Sequence, residues 1–124
     1  MLDKVDPDLI TKFETLETLE KLDALFDTPD KWHQGHCAKT KDGMITGVFA
    51  SDAHSFCVIG GLARVTGRNI EDVFYSAPTN IFSYTIGNKD GGGIPAWNDA
   101  DDTTFEDVKE NLAKAIKNAR ELLR

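Results

Sequence analysis

Phe56-Cys57-Val58-Ile59-Gly60-Gly61-Leu62-Ala63-Arg64-Val65-Thr66-Gly67 is the stretch on which the fold turns. Val58, Ile59, Leu62 and Val65 make a helix that is apolar around most of its circumference, with Ser51-Asp52 or, alternatively, Ser55 as its cap and Gly67 as a left-handed terminator. Such a helix belongs in the middle of a protein, covered on several sides. Cys57, Gly60, Gly61 and Arg64 stand at i, i+3, i+4 and i+7, so one face carries almost no side-chain bulk until Arg64. Each helical glycine costs about 1 kcal/mol against alanine, a penalty that makes sense where another backbone or a ligand must come close.

Upstream, His36-Cys37-Ala38-Lys39-Thr40 and Met44-Ile45-Thr46-Gly47-Val48-Phe49 flank Lys41-Asp42-Gly43, the pattern of a small β-hairpin closed by an Asp-Gly turn. Two strands alone are marginal, so the hairpin must lie against helices. Farther upstream, Asp6-Pro7 reads as cap and first position of a helix whose apolar residues Leu9, Phe13, Leu16, Leu19, Leu22 and Phe26 recur every three or four positions until Thr28-Pro29.

Downstream, Asn69 caps a short helix carrying Glu71 and Asp72 in its first turn, and Pro78-Thr79-Asn80 ends it. Residues 81–86 satisfy both a helical and an alternating pattern. Thr103 and Glu106 offer a capping box for a last helix with Val108, Leu112, Ala115, Ile116 and Ala119 on one stripe. The fold class is mainly α (α+β), about four helices with a short β-hairpin in a single compact domain. Residues 1–31 form an acidic N-terminal helical segment before a core over residues 32–119.

Charge narrows the partners. Twenty-one acidic against fourteen basic side chains give a net charge of −7 in 124 residues, the wrong sign for a protein that gains affinity by neutralising phosphates. The charge therefore disfavours nucleic acid and anionic membranes as partners, and a protein or small ligand is expected. The longest nearly apolar run, residues 56–63, is far too short to cross a bilayer. A cytoplasmic protein is expected, with Cys37 and Cys57 as free thiols.

Chemistry has few places to occur. His33, His36, His54 and Cys57 have the spacing of paired zinc half-sites, His-x-x-His and then His-x-x-Cys. Cys57 near a helix start, with His36 or His33 as base and Asp99 or Asn98 as orienting group, is the arrangement of a thiol-dependent hydrolase. The plainer reading ranks ahead of both: free cysteine is among the most commonly buried residues, and Cys57 fills space beside two glycines. The glycine-rich stretch 87–93 lacks the Lys-Ser or Lys-Thr of a phosphate loop, and Trp97-Asn98-Asp99-Ala100-Asp101-Asp102 lacks the glycine and closing glutamate of a calcium loop. No cofactor is expected.

Three segments together carry a resemblance: Trp32-His33-Gln34-Gly35 with Ala38 and Gly43, then Phe56-Cys57-Val58-Ile59-Gly60-Gly61-Leu62, then Trp97-Asn98-Asp99 with Thr104, Val108, Leu112 and Ala115-Ile116. This ordered set resembles a family of small uncharacterised domains of bacteria and their phages. There a W-x-x-G element, an aromatic-Cys-x-x-Gly-Ala-Leu helix and a Trp-Asn-Asp loop before a final helix recur. The resemblance spans residues 32–119. It implies that Gln34, Cys57, Gly60, Trp97, Asn98 and Asp99 belong to a shared pattern to which the three histidines do not, and it carries over no activity. Its phage setting implies an inhibitor of a host protein.

The expectation is thus a protein- or ligand-binding module. Its site is a cleft among the hairpin, the start of the central helix and the Trp97-Asn98-Asp99 loop, with residues 87–93 as a mobile rim. Trp32, Gln34, Arg64, Trp97, Asn98 and Asp99 are its binding candidates.

Overall fold

A computed structural model of the chain describes residues 7–87 and 93–123. The expected Asp6 cap and most of the glycine-rich rim lie outside the described residues. The central helix is the one the sequence marks: α2, Val58–Thr66, buries every residue from Val58 to Ala63 and ends on Gly67 at φ 72°. Around it run α1 (Pro7–Leu25), a 3-10 turn (Pro29–Lys31), β1 (Ala38–Thr40), β2 (Ala53–Phe56), α3 (Ile70–Phe74), α4 (Ala77–Ile86), α5 (Gly93–Asp99) and α6 (Phe105–Glu121). The fold is mainly helical, and the described residues hold one two-stranded antiparallel sheet and six α-helices where the sequence suggests about four.

Helix α2 does not start at Ser51-Asp52. Residues 53–56 are strand instead, and Cys57, at φ −76° and ψ 173°, is the N-cap, its Sγ accepting the Gly60 N–H at 3.3 Å. Asp52 accepts a hydrogen bond from the Thr46 hydroxyl. The hairpin also differs in its partner. The Asp42-Gly43 turn forms, with Gly43 at φ 86° and its N–H on the Thr40 carbonyl. After a single bridge between Lys39 and Ile45, however, β1 pairs with β2 in the register Ala38↔Phe56, Lys39↔Ser55, Thr40↔Ala53. The later segment wins because it brings Phe56 into the core, whereas Met44 and Ile45 remain two-thirds exposed.

The remaining boundaries shift for local reasons. Pro78-Thr79-Asn80 does not end a helix; Ser76 begins a new one, and the Ser76 and Thr79 hydroxyls both donate to the Val73 carbonyl, closing α3 onto α4. Residues 81–86 are therefore helical. The capping box of α6 is Thr104 with Asp107, one residue later than the Thr103–Glu106 pair, because the Thr103 hydroxyl donates to the Trp97 carbonyl at 2.6 Å. The α6 stripe itself is as read, with Val108, Leu112, Ala115, Ile116 and Ala119 buried. Leu19 and Leu22 on α1 and Phe26 just after it are buried, but Leu9 and Phe13 are exposed, so the first turns carry the apolar stripe beyond the packed region. Among the described residues the buried apolar side chains form one contiguous cluster. Among the described residues no helix is long and apolar enough to cross a membrane.

Candidate functional site

The two glycines explain how the site is assembled. A Cβ on Gly60 would lie 2.0 Å from the Cys37 carbonyl oxygen and 2.8 Å from its carbon, so the main chain before β1 rests directly on α2. A Cβ on Gly61 would meet Leu22 Cδ1 at 2.7 Å and Phe26 Cζ at 3.0 Å, so the adjoining face receives α1 side chains. The missing side-chain layer draws the segment 33–37 over the start of α2.

Asn98 then locks that segment. It is 1% exposed, and its amide uses its full hydrogen-bonding capacity. Oδ1 accepts from Trp32 Nε1 at 2.8 Å and from the Val58 N–H at 3.0 Å; Nδ2 donates to the His33 carbonyl at 3.2 Å and to Asp99 Oδ1 at 2.9 Å. Since Val58 N is one of the orphan donors of a helix start, Asn98 caps α2 from outside while Cys57 caps it from within. Gln34 Nε2 donates to the Asn98 and Ala100 carbonyls, and the Gly35 N–H donates to Asp99 Oδ1. The α5 end, the Trp32-to-Gly35 segment and the α2 start are one hydrogen-bonded unit.

Beside this unit lies a cleft of about 210 Å³. Ile59, Ile70, Phe74 and Pro95 supply its apolar walls, Cys37 and Cys57 line it, and Gly35, His36, Asn98 and Asp99 complete it. Burial, reinforced by the neighbouring Cys37 thiol, pushes the Cys57 thiol up to about 11. That is the reverse of what activates a nucleophile.

Of the binding candidates, Asn98 and Asp99 line the cleft, and Trp32 and Gln34 stand behind it as their hydrogen-bond partners. Trp97 turns to the core, edge-on to Phe82 with ring centroids 5.5 Å apart. Arg64 faces another side: Nη1 donates to the Val48 and Ala50 carbonyls, and the guanidinium lies over the Phe56 ring. It holds the 41–52 connection to α2.

His36 and Asp99 line the same cleft as Cys57, whereas His33 and His54 are engaged elsewhere. His33 Nε2 lies 2.6 Å from the His36 carbonyl, which can only accept, so Nε2 carries the proton and Nδ1 accepts from the Ser55 hydroxyl. Burial lowers the His33 pKa. His54 instead pairs with Asp30, 2.9 Å away, whose carboxyl is held below its usual range first by the Thr28 hydroxyl and then by His54. His36 lines the same cleft as Cys57 with no hydrogen bond shown between them, and among the described residues no three His, Cys, Asp or Glu side chains form a metal-binding group. The sequence reading missed Ile59, Ile70, Phe74 and Pro95 as cleft walls; they are ordinary apolar residues with no local signal.

Fold and site define a small, mainly helical protein whose polar lock and apolar cleft meet at the start of a central helix. The chain belongs to DUF6197, a family of unknown function, which matches residues 11–118 and so takes in most of α1. No curated protein and no solved structure matches it.

Proposed function

We propose that the protein is a binding module whose cleft receives one apolar side chain of a partner protein. The observation that carries this reading is the cleft's size and wall chemistry together. About 210 Å³ is less than the roughly 300–1,000 Å³ of small-molecule sites, but it suits a single anchor of the kind that dominates protein interfaces. Phe74 is 41% exposed and Tyr75 84% exposed next to it, giving a partner more apolar surface beyond the anchor. The net charge of −7 favours a basic partner by long-range steering. In its narrower form, resting on the phage setting of the resemblance, the partner is a host protein that the module inhibits in the cytoplasm.

The test is an amide NMR titration of the whole chain with capped tripeptides that place leucine, phenylalanine or tryptophan between two lysines. Saturable shifts at Gly35, Ile59 and Phe74, abolished by Phe74→Ser in a protein that keeps its dispersed spectrum, are the expected result. Shifts that survive Phe74→Ser, or no saturable shifts with any of the three peptides, would refute the reading.

A further inference from the structure

We propose that Cys37 and Cys57 are a reversible disulfide pair, a modification site built by the register of the small sheet across the start of α2. The inference stands on strand geometry and does not depend on what the cleft binds.

Antiparallel pairing ends with Ala38 opposite Phe56, and Cys37 and Cys57 are the residues immediately beyond that pair, so continuing the register sets them opposite each other. Directly opposite residues have Cα atoms about 4.5 or 5.5 Å apart, according to the type of pair. Both values fall within the roughly 4.4–6.8 Å that a disulfide spans. Side chains at opposite positions also project from the same face, and the two thiols line one cleft and lie within hydrogen-bonding reach of each other. Gly60 allows the approach, since any side chain there would drive off the Cys37 main chain. Both residues are free thiols and only partly buried, so a small oxidant can reach them.

The oxidant is a low-molecular-weight disulfide such as oxidised glutathione. Cys37, deprotonated to solvent, attacks one of its sulfurs; the oxidant's S–S bond breaks, a mixed disulfide forms, and the departing thiolate takes up a proton. Cys57 then attacks Cys37 Sγ, the mixed disulfide breaks, and the proton lost from Cys57 balances the one gained by the second departing thiolate. Two electrons pass from the protein to the oxidant, leaving two reduced glutathione molecules. The first attack is assigned to Cys37 because Cys57 Sγ is engaged as the N-cap of α2, accepting the Gly60 N–H.

The whole chain is equilibrated in glutathione redox buffers with and without denaturing urea, quenched in acid, alkylated and weighed. Native protein should lose two hydrogens as a monomer with a Cys37–Cys57 peptide, and dithiothreitol should reverse this. The equilibrium constant for ring closure should be at least about tenfold higher in native buffer than in urea, as expected for a cross-link that the fold pre-forms. Cys57→Ser should stop at a glutathione adduct on Cys37. A persistent adduct on the wild type, an intermolecular dimer, an unchanged mass, or equal constants with and without urea would each overturn the proposal.

Discussion

Replacing Gly60 by alanine places a methyl carbon 2.0 Å from the Cys37 carbonyl oxygen, 2.8 Å from its carbon and 3.0 Å from its Cα. All three are main-chain atoms, so no rotamer change relieves the clash. Either the segment before β1 withdraws or α2 shifts, and the segment that must move adjoins Trp32, His33, Gln34 and Gly35, which carry the hydrogen bonds to Asn98 and Asp99. Against this stands the helix propensity gained on replacing glycine, about 1 kcal/mol. Overpacking costs up to about 3 kcal/mol where neighbours cannot yield, leaving a net loss of about 2 kcal/mol. For a chain of this length that lowers the melting temperature by roughly 8 °C.

Gly61→Ala is the internal control. Its methyl meets Leu22 Cδ1 and Phe26 Cζ, ends of side chains that can turn aside, so stability should stay within about 1 kcal/mol of the parent. Urea denaturation followed by circular dichroism measures both variants under one set of conditions. A Gly60→Ala variant as stable as the parent, or a Gly61→Ala variant more damaged than Gly60→Ala, would refute a main-chain contact at Gly60.

Asn98→Ala removes the acceptor shared by Trp32 Nε1 and the Val58 N–H and the donor to the His33 carbonyl. With two donors stranded at a buried position at about 1–3 kcal/mol each, unfolding in urea should show a loss of about 3 kcal/mol. A loss under about 1 kcal/mol would mean that water replaces the amide. His33 predicts a pH effect. Its folded-state pKa lies below the ordinary 6.5, so as pH falls through that value the unfolded chain takes up the proton first. Stability is fully present above the unfolded value and drains away as pH falls toward the depressed folded one. The urea midpoint should therefore drop between about pH 7.5 and 5.5 less steeply in His33→Gln than in the parent, and parallel profiles would remove His33 as the cause.

What the sequence made legible is what short-range rules decide. The α2 run ending on Gly67, the Asn69 cap of α3 and the α6 stripe depend on residues within a turn or two, and all three stand in the structure. The start of α2 was hidden because one of its caps is the Cys57 thiol and the other is Asn98, 40 residues from Val58. The hairpin partner was hidden for a related reason. Both 44–49 and 53–56 can form strand, and the choice between them depends on burying Phe56, a tertiary gain that no local pattern records. At the site, Gly60 and the Trp97-Asn98-Asp99 loop stood out as unusual residues, whereas Ile70, Phe74 and Pro95 become cleft walls only when α3 and α5 converge on α2.

This division also orders the cleft mechanically. One side is the Asn98 unit, where Trp32, Gln34, Gly35, Val58 and Asp99 are joined by hydrogen bonds from three separate parts of the chain. The facing side is α3, five residues long, held by the Asn69 cap, the Val73 carbonyl and the burial of Val73. Opening the first side breaks several bonds at once, while displacing Phe74 chiefly exchanges apolar contacts on a half-exposed ring. Under the binding role proposed above, a side chain entering the cleft would be accommodated at α3, with the Asn98 side as the fixed geometry against which it is measured. Gly60 sits where both demands meet, because the Cys37 main chain that rests on it continues directly into the fixed side.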